Sequence, residues 1–318
     1  MVETFARRPS RRAVLALGAG TALASVVSTG GPAHAAGASP GGASTTRAST
    51  TRALTTRALA DLEREHGARL GVFARNTVTG RSVEYRADER FPICSVHKTL
   101  TAAAVLRDLD RDGEFLARRI RYTARDVTDA GYAPLTGTPE HLAHGMTVAE
   151  LCAAAIGHSD NAADNLLLRE LGDPTAITRF CRSIGDHLTR LDRWEPALNS
   201  AEPGRATDTT SPAAIGRSHQ KLVLGDALTP RDRQQLTAWL LANTTGAARL
   251  RAGLPGDWTL ADKTGTGDYG TTNDVGIAWT RDGTPVVLAV LSTQRDADAP
   301  ADEPLLARTA ALLADALT

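Results

Sequence analysis

A chain of 318 residues with 36 Lys+Arg against 36 Asp+Glu has no formal net charge at pH 7, which removes the electrostatic case for nucleic acid or an anionic membrane surface as partner. That length holds one large domain or two of ordinary size. The three cysteines, Cys94, Cys152 and Cys181, are too few and odd in number for a disulfide scaffold; whether Cys152 and Cys181 pair cannot be read from spacing.

Residues 1–36 read as a targeting segment rather than as fold. Arg11-Arg12 precedes the apolar run Ala13–Val27, and Ala33-His34-Ala35 follows as an A-x-A cleavage signal, the pattern of a twin-arginine export signal peptide. The run is too short and too rich in Gly, Ser and Thr for a membrane span. No cysteine follows it to carry a lipid. The mature chain is therefore expected to be secreted, extracellular or periplasmic, without a membrane anchor. Residues 37–53, rich in Gly, Ala, Ser and Thr, read as a disordered linker.

From there the chain reads as fold. Leu54–His66 has helical periodicity and stops before Gly67. Arg69–Ala74 and Ser82–Arg86 read as strands joined by a turn through Asn76 and Gly80. After Ser95 the pattern is helical for a long way. Thr147-Val148-Ala149-Glu150 spells a capping box ahead of Leu151–Ile156, Asp160–Leu171 ends at Gly172, and Asp173-Pro174 opens a helix that Gly185 closes. A loop without periodicity spans about Asp186–Thr210, then Ser211-Pro212 and Thr229-Pro230 each start a helix. Trp258–Lys263, Asp274–Thr280 and Pro285–Ser292 read as strands, the last two flanking the hairpin signal Asp282-Gly283, and Pro304–Leu317 is an amphipathic closing helix. Strands at both ends with helices between them predict an α+β fold: an antiparallel sheet flanked by terminal helices, with an inserted all-helical domain. The catalytic unit is expected over 54–318, its α/β part about 54–92 and 243–318 and its helical part about 93–242. The cleft between the two is where a site is expected.

Four short stretches carry chemistry. Ser95 and Lys98 are three residues apart at the head of an alanine-rich run, so a helix brings both to one face. A hydroxyl becomes a useful nucleophile only when a neighbouring base takes its proton, and a desolvated lysine can do so. Ser159-Asp160-Asn161 stands at a helix start, where such residues cap orphan N–H groups. Lys263-Thr264-Gly265 closes an apolar strand, offering a fixed positive charge and a glycine beside which a ligand can come close. The fourth stretch is Glu195 to Asn199, within the long loop. Each alone is commonplace: a helix start, a cap, a strand end, a solvated carboxylate. Eight histidines are scattered without His-x-His-x-Asp-His or His-Glu-x-x-His, so no metal or other cofactor is expected and His97 is read as a packing residue.

In this order, Ser-x-x-Lys, Ser-Asp-Asn, a loop glutamate and Lys-Thr-Gly match a known set, and the chain from Leu54 onward resembles a class A serine β-lactamase. The resemblance implies hydrolysis of the β-lactam ring of penicillin- and cephalosporin-type antibiotics, hence antibiotic resistance, with a small-molecule substrate and a monomeric enzyme. Ser95 matches the nucleophile that becomes an acyl-ester and Lys98 the lysine that shapes its proton affinity. Glu195 matches the base that activates the deacylating water and Asn199 the amide that holds that water. Which of Lys98 and Glu195 takes the proton in acylation stays open. Ser159 matches the relay to the departing nitrogen and Asn161 the amide on the substrate's side-chain carbonyl. Lys263, Thr264 and Thr266 match the grip on the substrate carboxylate, with Gly265 between them. The backbone N–H groups of Ser95 and Thr266 would form the oxyanion hole, and Tyr132 would line the entrance. Arg193 and Asp208 match the pair pinning the loop, and Glu195-Pro196 is a bond that can adopt cis.

There are departures from the family pattern. Thr272 stands where many relatives have a carboxylate-binding arginine, and Arg249 is taken as the substitute. Cys152 fits one half of a frequent bridge whose other half is Ala102 here, so that bridge is expected to be absent. Cys94 fits half of a bridge found in some carbapenem-hydrolysing relatives, but Gly267 holds the other place. Two other readings share the acyl-enzyme: a D-Ala-D-Ala carboxypeptidase or transpeptidase, and a non-enzymatic β-lactam sensor domain. Glu195 with Asn199 separates hydrolysis from both, because neither rival needs fast release.

Overall fold

The computed structural model describes residues 54–318; the segments read as an export signal over 1–36 and a linker over 37–53 lie outside the described residues. Five antiparallel strands form the main sheet: β1 (Arg69–Asn76), β2 (Ser82–Tyr85), β3 (Thr259–Gly267), β4 (Thr271–Trp279) and β5 (Pro285–Thr293). Their spatial order is β2-β1-β5-β4-β3. The β1 strand from the start of the chain pairs with β5 from its end, in the register Val72↔Val290 and Phe73↔Ala289.

The period-2 alternation of these strands explains the layers. Val72, Leu288 and Val290 point to one face and meet Leu59 and Leu62 of the helix over 54–65 and Leu305, Leu306 and Leu313 of the helix Glu303–Leu317. Phe73, Val287, Ala289 and Leu291 point to the other face, where Ile215, Leu236, Leu100 and Leu151 of the intervening helices cover them. A sheet clad on both faces must be apolar on both, and β5 is buried at seven consecutive positions. Each such side chain contributes about 2 kcal/mol relative to exposure. At Gly216 a Cβ would lie 2.6 Å from the Phe73 ring, so glycine lets the helix Pro212–Val223 settle onto the sheet.

The expected α+β arrangement is what the chain adopts, and most boundaries fall where the caps put them. Thr147 and Glu150 form the capping box, and Ser211 and Thr229 cap their helices with proline in the first turn. Two readings need correction, and one open question closes. Lys263-Thr264-Gly265 does not close its strand: β3 continues to Gly267, because Gly265↔Asn273, Thr266↔Thr272 and Gly267↔Thr271 keep pairing across the hairpin. The loop after Asp186 is not devoid of structure. It holds a 3-10 turn at Ala197–Ser200 and a short strand, Thr209–Thr210, paired with Phe91–Pro92. All three cysteines are buried and free, so Cys152 and Cys181 do not pair.

One buried group gives the fold a pH dependence. His219 is fully buried; its Nδ1 lies 3.0 Å from the Ile215 carbonyl and its Nε2 has no hydrogen-bond partner among the described residues. Burial pushes its pKa down to about 4. The unfolded chain takes up this proton near pH 6.5, before the folded chain does. The stabilisation is therefore complete above pH 6.5 and is lost as pH falls towards 4, by about 3 kcal/mol in full. Denaturant titrations of the wild type and His219→Leu at pH 7 and pH 4.5 should show a smaller acid loss in the variant; parallel losses refute the assignment.

Candidate active site

Ser95 lies in the 3-10 turn Cys94–His97, which runs directly into the helix Lys98–Ala104. It is 7% exposed, while Lys98 behind it is fully buried. Cys94 and Ser159 both hold left-handed backbone, φ 44° and 57°, a conformation that costs on the order of 1–3 kcal/mol for a side-chain-bearing residue. The two strained positions flank the same few side chains.

Those side chains form one connected network. Lys98 Nζ donates to Asn161 Oδ1 at 2.6 Å and to the Ser159 carbonyl at 2.8 Å, and lies 3.1 Å from Glu195 Oε1. Ser95 Oγ is 3.4 Å from the same Glu195 oxygen. Asn199 Nδ2 donates to Glu195 Oε2 at 2.5 Å, and its Oδ1 is buried without a partner among the described residues. On the other side Lys263 Nζ donates to Ser159 Oγ at 3.0 Å. Ser159 thus sits between the two lysines, its carbonyl on one and its hydroxyl on the other. Burial lowers the Lys263 pKa well below the ordinary lysine value, and the positive charges of Lys98 and Arg249 add to this. Lysines held this close favour an incoming anion.

The edge strand completes the site. Thr264 Oγ1 is 2.5 Å from the Thr245 hydroxyl. Gly265 has a different purpose from the one expected of it. A Cβ there would lie 3.1 Å from Val96, 3.2 Å from the Ile93 carbonyl and 3.3 Å from Cys94. Glycine therefore lets β3 dock against the nucleophile's own turn, rather than clearing room for a ligand. Arg249, 5% exposed, donates to the carbonyls of Gly265 and Asn273 at 2.9 Å each and to Thr266 Oγ1 at 2.7 Å. Thr272 is turned to structural use: its hydroxyl donates to the Gly270 carbonyl and accepts from the Asp302 N–H. Tyr132 is 59% exposed, and its carbonyl accepts from the Asn161 N–H at 2.8 Å.

The loop bearing Glu195 is closed by Arg193 Nε on Asp208 Oδ2 at 2.6 Å, and the Glu195–Pro196 bond is cis. Burial raises the Cys94 thiol far above its ordinary pKa, which leaves it no thiolate with which to compete with Ser95. Sequence reasoning missed three supports. Asn165 grips the Glu195 peptide from both sides, donating to its carbonyl at 2.9 Å and accepting its N–H at 3.0 Å. The signal was present, since Asn165 follows Asn161 by four residues and so shares its helix face. Asp160 accepts from the N–H groups of Leu135 and Thr136 as well as from Ala163, tying the segment after Tyr132 to Ser159. Asp164, on the same helix, faces His97, which proves hydrogen bonded as well as packed.

Comparison with known proteins agrees with this geometry. Residues 54–317 match the model of the beta-lactamase enzyme family. The chain is 62% identical over 314 residues to a beta-lactamase of Streptomyces lavendulae, covering 99% of each chain. Its structure is similar to that of the beta-lactamase from Streptomyces albus G, with a TM-score of 0.82, 63% identity, and coverage of 83% of this chain and 99% of that one. It is also similar to an ancestral class A beta-lactamase, with a TM-score of 0.78, 53% identity and coverage of 82% and 99%. The Ser95-Lys98, Ser159-Asp160-Asn161 and Lys263-Thr264-Gly265 stretches, gathered in one buried network on this fold, make the chain a member of the class A serine β-lactamases.

Proposed function

We propose that the enzyme hydrolyses β-lactams in two half-reactions centred on Ser95. Ser95 Oγ attacks the lactam carbonyl and the C–N bond breaks. The hydroxyl proton passes through the Lys98 and Glu195 network, and Ser159, backed by Lys263, delivers a proton to the departing nitrogen. The backbone N–H groups of Ser95 and Thr266 stabilise the oxyanion. Asn161 binds the substrate's side-chain carbonyl, Tyr132 lines the entrance, and Lys263, Thr264, Thr266 and Arg249 hold the substrate carboxylate. Glu195 then takes a proton from a water held with Asn199; the resulting hydroxide attacks the ester carbonyl and Ser95 is released. The observation carrying this reading is the Ser95 Oγ to Glu195 Oε1 separation of 3.4 Å with Asn199 on the other carboxylate oxygen. One solvent molecule can touch the acyl carbonyl and both side chains from there. A peptidase or a sensor domain has no use for such an arrangement.

Steady-state turnover of one penicillin, one cephalosporin and one carbapenem tests the function. A burst of one nitrocefin equivalent without turnover would refute it. Arg249→Ala removes charge-assisted hydrogen bonds worth about 1.5–3 kcal/mol, so kcat/KM for a penicillin should fall roughly 10- to 100-fold. Unchanged constants would remove Arg249 from the carboxylate grip.

For location and assembly, the proposal is a secreted monomer exported by the twin-arginine segment. Arg11-Arg12 and the A-x-A motif support export, and among the described residues no helix is long and apolar enough to cross a membrane. Fractionation of cells expressing the full chain and its Arg11→Lys/Arg12→Lys variant would test export.

A further inference from the structure

Beneath the catalytic turn lies a charged pair that the two half-reactions do not use. His97 and Asp164 are both fully buried, His97 on the turn that carries Ser95 and Asp164 on the helix Asn161–Leu171. His97 Nδ1 is 2.8 Å from the Cys94 carbonyl, and Nε2 is 2.8 Å from Asp164 Oδ2. With Asp164 ionised both neighbours are acceptors, and a ring satisfying both donates from both nitrogens, as an imidazolium does. The environment agrees. Burial works against the charged ring, but the Asp164 carboxylate outweighs it and raises the His97 pKa, with Glu195 adding to the rise and Lys98 opposing it. Asp164 is lowered in turn, its burial outweighed by His97.

Glu195 is part of the same cluster. A His97 ring nitrogen, an Asp164 oxygen and a Glu195 oxygen all lie within 4.8 Å of one another. Two carboxylates that close in a buried site cannot both ionise cheaply, and together they hold a proton to higher pH than either does alone. A carboxylate base holding a proton cannot activate water.

We propose that His97 is a positioning residue for the general base: its imidazolium balances Asp164, so that this second buried carboxylate does not share a proton with Glu195 while the acyl-enzyme waits for water. The proposal rests on Glu195 as the deacylating base. It also explains why the ring and the acid occur together, since either alone would be an unpaired buried charge.

The test is the pH profile of deacylation, measured by stopped flow on pre-formed acyl-enzyme, beside that of acylation. His97→Phe should move the acid limb of deacylation up by about one pH unit or more, so that at pH 6 release is at least roughly tenfold slower while acylation keeps its profile. The double variant His97→Phe/Asp164→Ala should return the limb to the wild-type position. A folded His97→Phe enzyme with an unmoved limb overturns the proposal, as does a double variant that keeps the shifted one. A merely structural pair would lower the melting temperature or both half-reactions without moving the limb. If His97→Phe does not fold, nitrogen-15 NMR of the wild type decides: protons on both His97 nitrogens at pH 7 are expected, and a neutral tautomer overturns the idea. Glu195→Ala run in parallel separates the two levels. A variant that still releases product overturns the base assignment; trapped acyl-enzyme there, with an unmoved limb in His97→Phe, overturns only the role of His97.

Discussion

Glu195→Ala should form an acyl-enzyme with a penicillin and fail to release it, with kcat lowered about 10³-fold, the range for removing a positioned general base. Removing the carboxylate takes away the group 3.4 Å from Ser95 Oγ, but Lys98 keeps its bonds to Asn161 Oδ1 and the Ser159 carbonyl. The Ser159 hydroxyl keeps its contact with Lys263. Attack therefore retains Lys98 and protonation of the leaving nitrogen retains Ser159 with Lys263, whereas the water has lost its base. Intact-mass spectrometry should show one adduct per chain, mapping to Ser95, that persists for minutes in the variant and not in the wild type. Turnover within tenfold of the wild type, with no adduct, would mean that another group activates the water. The same variant separates hydrolysis from the rival readings, since a peptidase or sensor would accumulate the adduct with Glu195 still in place.

How much of this was legible in the sequence follows from which forces act locally. Caps and turns depend on one to four residues, so Thr147 with Glu150 and Asp282-Gly283 could be read directly. The layer order was legible too, because strands at both ends of a chain with helices between them leave few ways to bury one sheet. The end of β3 was not. Gly265 and Gly267 have poor strand propensity on either side of Thr266, and pairing with Asn273, Thr272 and Thr271 holds the three extended. The site residues could be listed because their types and order form a rare pattern, but their supports could not. Asn165 and Asp160 act by hydrogen bonding to the backbone of distant segments; spacing puts Asn165 on the helix face of Asn161, but it does not say which distant segment that face meets. His97 was read as packing because a histidine in an apolar run usually packs. Only the fold shows that Asp164, 67 residues away, meets it.

Arg193→Ala should slow deacylation far more than acylation, because it loosens the loop without touching the nucleophile. Asp208 is the knot of that loop, 1% exposed. Its Oδ1 accepts from the N–H groups of Asp192 and Arg193, its Oδ2 from Arg193 Nε, and its carbonyl from the N–H of Ile93, just ahead of the Ser95 turn. Arg193 also reaches Ser200 Oγ and Glu202 from its other nitrogens. One guanidinium thus ties residues on both sides of Glu195 and Asn199. Breaking a buried ion pair from one side costs about 3–5 kcal/mol; the Arg193 side chain is 26% exposed, which argues for the lower end, about 3 kcal/mol. At roughly 2–4 °C per kcal/mol for a domain of this size, the melting temperature should fall about 6–12 °C. The catalytic effect follows from distance. Glu195 must share a solvent molecule with the Ser95 acyl carbonyl, so a loop free to move by an ångström loses roughly 10- to 100-fold in deacylation. The nucleophile turn, packed against β3 at Gly265, keeps its place, and acylation should change by less than about threefold, under 0.7 kcal/mol at the barrier. Arg193→Lys should recover part of the stability but little of the rate, since a lysine supplies the charge without the fork that spans Asp208, Ser200 and Glu202. Pre-steady-state kinetics separate the half-reactions; equal losses in both would mean that Arg193 acts on the whole site and not through the placement of Glu195.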